Sequence, residues 1–195
     1  MPNNTKFSWE YLNALLDRWR NHPVRRLANG TELICPVPHV APEAWLHEIH
    51  GRLDYVAINA LEREFKRPIP KALREFYKEA NGLHLFSDEI SVYGRRTSFD
   101  RNGEGTHQPY CLVTQNGAGE RFPGCPNEFV FIGGYSDDGS NVAITSTESQ
   151  EVLRLEPATG REIARWPSIW VWICSEADRY DALFDDEGRM KPGAG

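Results

Sequence analysis

The chain has 195 residues, 40% of them hydrophobic and 26% charged, a composition typical of a folded globular domain. No run approaches the roughly 18 apolar residues that a membrane-spanning helix needs, and the N-terminus lacks the basic-then-apolar pattern of a signal peptide. The formal net charge is -6. Its acidic excess lies after residue 127, which disfavours nucleic acid as a direct partner. We therefore expect a cytoplasmic protein without a membrane or nucleic-acid partner. The acidic half favours either a basic protein partner or a solvated surface.

The first third of the chain predicts two helices joined by a connector. Apolar residues at helical spacing predict a first helix over residues 7–19. Four prolines indicate an extended connector over residues 23–42, in which residues 33–37 are predicted as a short edge strand. A second helix is predicted over residues 42–66, again from apolar residues at helical spacing.

The stretch from Pro68 to Phe86 predicts a short helix that leads directly into a sheet. Pro70 suits the first helical position, where its missing N–H costs nothing. An apolar stripe at i, i+3, i+4 and i+7 follows, formed by Leu73, Phe76, Tyr77 and Ala80. The pair Asn81-Gly82 predicts the end of the helix, because glycine adopts the left-handed conformation at little cost.

After this helix the pattern changes to short strands separated by turn residues. Strands are predicted over residues 85–93, 110–113, 129–132, 141–145, 151–155 and 162–166, followed by a helix introduced by Pro167 and Ser168. This order predicts an α+β fold, with N-terminal helices packed on an antiparallel, roughly six-stranded meander sheet and a closing C-terminal helix. A single domain over residues 1–195 is expected.

The short helix also carries a resemblance to a known family. The residues concerned are Ile69, Pro70, Leu73, Phe76, Tyr77, Asn81 and Gly82. With the strand at 90–94, the segment 131–134 and the closing Phe184-Asp185-x-x-Gly188, this helix resembles the SUKH superfamily. That superfamily includes fungal cell-wall-assembly regulators and bacterial polymorphic-toxin immunity proteins. The resemblance implies a core over residues 45–188, preceded by an N-terminal helical extension over residues 1–40. The segment 94–127 departs from the family pattern.

No motif in the chain predicts catalysis. His47 and His50 lie at i, i+3 on the predicted second helix, one residue short of the HExxH spacing of zinc sites, so no metal site is expected there. The cysteines at 35, 111, 125 and 174 form no CxxC pair and are expected to be reduced thiols without an activating base. The glycine-rich segments lack the Lys-Ser/Thr pair of a P-loop. We expect no catalytic residue, no metal and no cofactor.

The residues and the resemblance together favour an immunity protein. Such a protein would bind and neutralise a cognate bacterial toxin domain, a nuclease or a deaminase, by occluding its active site. An acidic surface suits a basic toxin, because charge complementarity speeds capture and enforces specificity. The residues predicted to contact the toxin are Asp100, Glu104, Asp137, Asp138 and Trp170.

Two alternatives remain open from the sequence. The first is a non-enzymatic regulatory or scaffold module of the cell-wall-assembly-regulator type, and the second is an enzyme whose site the motifs do not reveal. The position of Trp170 is also open, because Trp170 falls opposite Trp172 and Ile173 on the closing helix. Either one of these faces is exposed and available to a partner, or all three side chains are buried.

Overall fold

A computed structural model describes residues 7–100, 103–145 and 150–193. Its centre is an antiparallel sheet whose nine described strands are hydrogen-bonded in chain order. The strands are β1 (Val24–Arg26), β2 (Glu32–Pro36), β3 (Trp45–Gly51), β4 (Ala80–Leu85), β5 (Ile90–Val92), β6 (Phe129–Tyr135), β7 (Asn141–Thr145), β8 (Val152–Leu155) and β9 (Glu162–Trp166). The α-helices in the same residues are α1 (Trp9–Asp17), α2 (Tyr55–Phe65), α3 (Lys71–Tyr77), α4 (Leu112–Gln115) and α5 (Ile169–Asp181). The predicted α+β meander with a closing helix is confirmed, although the described sheet has nine strands where about six were predicted.

The first face of the sheet is covered by the N-terminal and C-terminal helices. Both helices begin at a serine N-cap, Ser8 for α1 and Ser168 for α5, whose side chain accepts a backbone N–H of the first turn. The two helices contact each other through a hydrogen bond of 2.7 Å from the Tyr11 hydroxyl to Asp178. Trp172 of α5 packs so closely against β6 that a Cβ added at Gly133 would lie 2.6 Å from its ring.

The second face of the sheet is covered by the segment between β5 and β6. His107 of this segment lies 3.0 Å from the Glu48 carboxylate on β3, measured from Nδ1 to Oε1. Tyr110 stacks on His84 of β4, with the ring centroids 4.6 Å apart. The segment that departs from the family pattern therefore buries polar strand residues that would otherwise face water.

The predicted helix over residues 42–66 is wrong in its first half. Residues 45–51 form β3, and α2 begins only at Tyr55, after the N-cap Asp54. Strand β3 is buried on both faces, so its apolar residues do not alternate with polar ones. Leu46 and Ile49 therefore have the i, i+3 spacing of a helix by coincidence. His47 and His50, predicted on one helical face, point to opposite faces of the sheet: His47 contacts Trp19 and Phe86, whereas His50 contacts His84.

The N-terminal segment is less helical than predicted. Among its described residues, α1 and a 3-10 turn are followed by β1 and β2, so that this segment also supplies strands of the sheet. Strand β2 pairs with β1 on one side and β3 on the other. The strand predicted at residues 33–37 is thus confirmed as a strand but is wrong as an edge, because β1 forms the edge.

The Asn81-Gly82 pair does not cap α3, which ends at Tyr77. Both residues lie in β4. Gly82 has a φ of +99° and approaches β5 so closely that a Cβ would lie 2.5 Å from the Val92 carbonyl oxygen. Asn81 clamps the start of the β5–β6 segment: its side chain accepts the Arg95 N–H at 2.7 Å and donates to the Arg95 carbonyl at 2.8 Å. The pair therefore belongs to the sheet and does not end the helix. Its position shortly after a helical pattern in the sequence led to the wrong prediction of a cap.

The structure differs from two of the predicted strands. The strand predicted over residues 85–93 is the end of β4, a turn and then β5. The strand predicted over residues 110–113 is absent among the described residues, where Cys111 makes an isolated bridge to Gly94 and α4 begins at Leu112. The strands predicted over residues 129–132, 141–145, 151–155 and 162–166 correspond to β6, β7, β8 and β9.

Candidate partner-binding surface

One end of the sheet is rich in carboxylates. In an antiparallel meander alternate connections emerge at the same end, so the turns after β2, β4, β6 and β8 lie side by side. These turns carry six carboxylates and one arginine, namely Glu43, Asp88, Glu89, Asp137, Asp138 and Glu156 with Arg161. We refer to these four turns, residues 37–44, 86–89, 136–140 and 156–161, as the acidic end. Strands lie about 4.8 Å apart, so the four turns form a row about 30 Å long, the width of a protein interface.

Arg154 of β8 holds the two aspartates of the β6–β7 turn in place. Its guanidinium lies 3.2 Å from an Asp137 oxygen and 3.0 Å from an Asp138 oxygen, and 3.6 Å above the Tyr135 ring. The Arg154 side chain is only 13% exposed, whereas those of Asp137 and Asp138 are nearly half exposed. Partial burial opposes ionisation of Asp138, but hydrogen bonds from Ser140 and Arg154 hold its pKa below the usual range. Asp138 is therefore charged, and Arg154 holds both carboxylates with part of each exposed to solvent.

The neighbouring Glu89 shows how closely the negative charges are spaced. Burial raises the pKa of Glu89, and repulsion by Asp137 and Asp88 adds to the increase, while a hydrogen bond from Ser136 and the positive charge of Arg179 oppose it. A cationic group placed here would relieve that repulsion. The acidic end is thus an electrostatic environment that favours the approach of a positive surface.

Asp100 and Glu104 lie at the opposite end of the sheet. Glu104 forms an ion pair of 3.3 Å with Arg25 of β1 and accepts the Ala28 N–H at 3.3 Å, so it fastens the β5–β6 segment to the β1–β2 turn. Asp100 accepts a hydrogen bond of 2.9 Å from the Ser98 hydroxyl. The structure brings Asp137 and Asp138 together and separates them from these two acidic residues.

Trp170 of α5 is half-buried where this helix packs against α1 and α3. Its ring lies 5.6 Å from that of Phe76 in α3 and 6.3 Å from that of Trp9 in α1. Trp170 and Tyr180, which contacts Asp137, are ten residues apart on α5, a separation of about 15 Å along the helix axis. Trp170 therefore lies almost three helical turns from the residue of α5 that contacts Asp137.

A cleft of about 640 Å³ opens at the end opposite the acidic end. It is lined by Arg52, Asp54, Arg74 and Lys78 among others, beside the 73% exposed Tyr55. Arg74 pairs with Glu62 at 2.5 Å and Lys78 pairs with Glu75 at 2.6 Å. Two of the cleft's cations are thus partnered within the chain, as Asp137 and Asp138 are by Arg154.

Sequence reasoning missed a buried polar cluster beneath the β5–β6 segment. Glu48 and His50 of β3 and His84 of β4 each offer a ligand atom within 4.8 Å of the others. Burial holds the pKa of His50 well below 6.5, and the neighbouring His84 and His107 add to the effect, so its imidazole is neutral. The signal in the sequence was the Glu48-x-His50 alternation, which is typical of a strand and was interpreted as a helix.

The four cysteines are free thiols, and three of them have a raised pKa. Cys35 and Cys174 are buried, and Cys111 and Cys125 are partly buried. Burial raises the pKa of Cys174 to about 12 and also raises the pKa of Cys35 and Cys125. A raised pKa keeps a thiol protonated and unreactive at neutral pH.

Comparison with known families identifies the domain. Residues 53–186 match the SMI1 / KNR4 family (SUKH-1). The chain belongs to this family. The SUKH-1 family includes polymorphic-toxin immunity proteins and Smi1/Knr4 regulators, which are generally non-catalytic. No curated protein and no solved structure matches the chain.

The SUKH-1 match covers the part of the chain from just before α2 to just after α5. It includes three of the four turns of the acidic end, because only the β2–β3 connection precedes residue 53. The strands β1, β2 and β3 lie outside the match and extend the SUKH-1 sheet at one side. Among the described residues, no helix has both the length and the hydropathy that crossing a bilayer requires.

Proposed function

We propose that this SUKH-1 protein is a non-enzymatic immunity protein that binds a cognate bacterial toxin domain and blocks its active site. The observation that carries the proposal is the acidic end, where turns of one sheet end gather six carboxylates and a single arginine. A toxin that acts on nucleic acid needs a basic active-site surface, and a row of carboxylates, two of them held by Arg154, is complementary to that surface. The toxin class proposed is therefore a nuclease or a deaminase.

Asp137 and Asp138 are the proposed centre of this contact. Arg154 positions both side chains before the partner arrives, so binding does not have to order them. Preorganised charges speed association, and this contribution weakens as salt screens it over a Debye length of about 8 Å at physiological ionic strength. The proposed mechanism is steric and electrostatic occlusion, with no change in any substrate.

Co-expression with candidate toxin domains tests this proposal, with rescue of bacterial growth as the readout. The double variant Asp137→Lys/Asp138→Lys is expected to lose rescue. The matched control is Asp100→Lys/Glu104→Lys, which makes the same change in net charge at the opposite end of the sheet and is expected to retain rescue. Asp137→Asn/Asp138→Asn removes charge without adding bulk, and should give an intermediate loss. Equal rescue by all three variants would refute the assigned surface.

The same experiment separates the immunity function from a regulatory role. A regulatory module of the Smi1/Knr4 type would bind cellular partners without protecting against any toxin domain. Failure of the wild-type protein to rescue growth against every nuclease and deaminase domain tested, including one encoded beside its gene, would favour the regulatory alternative.

A further inference from the structure

The second face of the sheet contains a buried set of metal-ligand side chains. Glu48 and His50 project from β3 and His84 projects from the paired position on β4, all beneath the β5–β6 segment. One ligand atom from each residue lies within 4.8 Å of the other two. His50 is 2% exposed and His84 is 8% exposed, so both imidazoles are removed from bulk water.

Both histidines have one ring nitrogen engaged and the other free. Nδ1 of His50 lies 3.3 Å from the Thr31 hydroxyl, and Nδ1 of His84 lies 2.5 Å from an Asp88 oxygen. The Nε2 atoms of both rings are buried without a hydrogen-bond partner in the described part of the chain. Buried polar atoms are rarely left unpaired, and a histidine that binds a metal is typically oriented through its other nitrogen by a carboxylate or hydroxyl. The arrangement therefore has the outer contacts of a metal site.

The Glu48 carboxylate is oriented in a similar way. One of its oxygens lies 3.0 Å from Nδ1 of His107, which reaches it from the covering segment. Two imidazole nitrogens and one carboxylate oxygen form the donor set of zinc sites that keep a fourth position open. Calcium and magnesium prefer oxygen ligands, so this set excludes them as the main occupants.

We propose that Glu48, His50 and His84 bind one divalent transition-metal ion of the Zn²⁺ class, with Nε2 of each histidine as donor. Zinc binds nitrogen at about 2.0–2.1 Å in tetrahedral geometry, which places donor atoms about 3.4 Å apart. The donor atoms, one from each side chain, now lie within 4.8 Å of one another and would approach by up to about 1.4 Å to reach that spacing. A cleft of about 180 Å³, lined by His50 and His107 among others, borders the cluster on the His50 side.

A bound ion would join three parts of the molecule. It would link β3 to β4 directly, and His107 on Glu48 and Tyr110 on His84 would connect it to the β5–β6 segment. Because the ion binds only the folded arrangement, it would raise the melting temperature in a concentration-dependent way. None of its three ligands belongs to the acidic end, which the site meets only at Asp88, the outer contact of His84.

Titration of the metal-free wild-type protein with Zn²⁺ tests the proposal. We expect one equivalent to bind in calorimetry, a rise in melting temperature, and tetrahedral d–d absorption bands when Co²⁺ is used instead. The variants His50→Gln, His84→Gln and Glu48→Gln each remove a ligand and are expected to weaken Zn²⁺ binding by about tenfold or more. Asp88→Asn alters the carboxylate that orients His84 and is expected to weaken binding about 10–100-fold. The matched control His39→Gln removes an exposed imidazole of the β2–β3 connection and should leave binding unchanged.

Zinc X-ray absorption of the wild-type protein keeps the test decisive if a variant fails to fold. A spectrum that shows the ion coordinated by imidazole nitrogen and by one or two oxygens would support the proposed site. A wild-type protein that binds no Zn²⁺, binding that survives in the His50→Gln/His84→Gln double variant, or a first shell containing sulfur would each overturn the site. These outcomes do not depend on any toxin, so they are independent of the immunity function.

Discussion

At the scale of single residues, Arg154 positions the two aspartates at the centre of the proposed surface. Its side chain is buried against the Tyr135 ring and donates to the Ser140 hydroxyl at 2.6 Å, which leaves the guanidinium nitrogens facing the turn. The sequence identified the two aspartates by their turn position. It could not identify Arg154, because pairing across β7 and β8 brings it to the turn from fourteen residues away.

Replacing Arg154 tests this role. Arg154→Met is expected to lower the free energy of unfolding by about 1–2 kcal/mol in urea denaturation, because charged hydrogen bonds are lost beside half-exposed partners. The pKa of Asp138 should rise toward its ordinary value when followed by NMR. Arg161→Met is the matched control, since Arg161 is 71% exposed and its pair with Glu156 lies in solvent. Equal stability of Arg154→Met and wild type would contradict the anchoring role.

Gly133 offers a second test at the residue scale. A Cβ at this position would lie 2.3 Å from the Ser91 carbonyl oxygen and 2.6 Å from the Trp172 ring, so α5 could not keep its distance from β6. Gly133→Ala is expected to cost about 1–3 kcal/mol of unfolding free energy, measured by thermal or urea denaturation. Gly119→Ala is the control, because no atom lies within 4 Å of its added Cβ. An unchanged stability for Gly133→Ala would show that the helix and sheet are packed less closely than described.

At the scale of elements, what could be predicted depended on how each element is buried. Strands β6 to β9 were predicted because turn residues separate them. Helix α5 was predicted because Ser168 caps an apolar face. Strand β3 was not predicted, because burial on both faces removes the alternation of apolar and polar residues that identifies a strand. The histidine and glutamate cluster was missed for the same reason, since its members share a face only if residues 45–51 are extended.

The Asn81 clamp tests how the covering segment is attached to the sheet. Asn81→Ala removes both hydrogen bonds to Arg95. We expect a loss of about 1–3 kcal/mol in unfolding free energy and faster hydrogen exchange at the Arg95 amide, because two partly buried groups lose their partner. The control Asn127→Ala alters an exposed asparagine and should change neither quantity. Unchanged exchange at Arg95 in the Asn81 variant would rule out the clamp.

At the scale of the whole molecule, the meander itself creates the asymmetry on which the proposed function depends. The connections at one end are short turns with acidic residues, and those at the other end contain α2, α3 and the β5–β6 segment. The sequence showed an acidic second half but not an acidic end, because the grouping of turns follows from strand order alone. The family match agrees with a protein-binding role for the domain and leaves the partner to be identified.

Stability is expected to fall as the pH rises above about 10. A hydrogen bond to Asp178 raises the pKa of Tyr11 to about 12, burial raises that of Tyr180 to about 12, and burial raises those of Tyr77 and Tyr135 further. Unfolded tyrosines ionise near pH 10. The folded-state pKa values are higher, so the stabilisation is complete below about pH 10 and declines above it. The part due to Tyr11 and Tyr180 is lost by about pH 12, and the part due to Tyr77 and Tyr135 is lost at higher pH. Urea denaturation across this range measures it. Tyr11→Phe should show a smaller decline than wild type, and a constant unfolding free energy would contradict the assignment.

The most direct test of the immunity function is a hydrogen-exchange footprint of the protein in complex with the toxin domain that it neutralises. Slower exchange is expected in the four turns of the acidic end, residues 37–44, 86–89, 136–140 and 156–161, with little change in α2 and α3 at the opposite end. Protection confined to α2, α3 and the segment 94–111, with the acidic turns exchanging as in the free protein, would contradict the account.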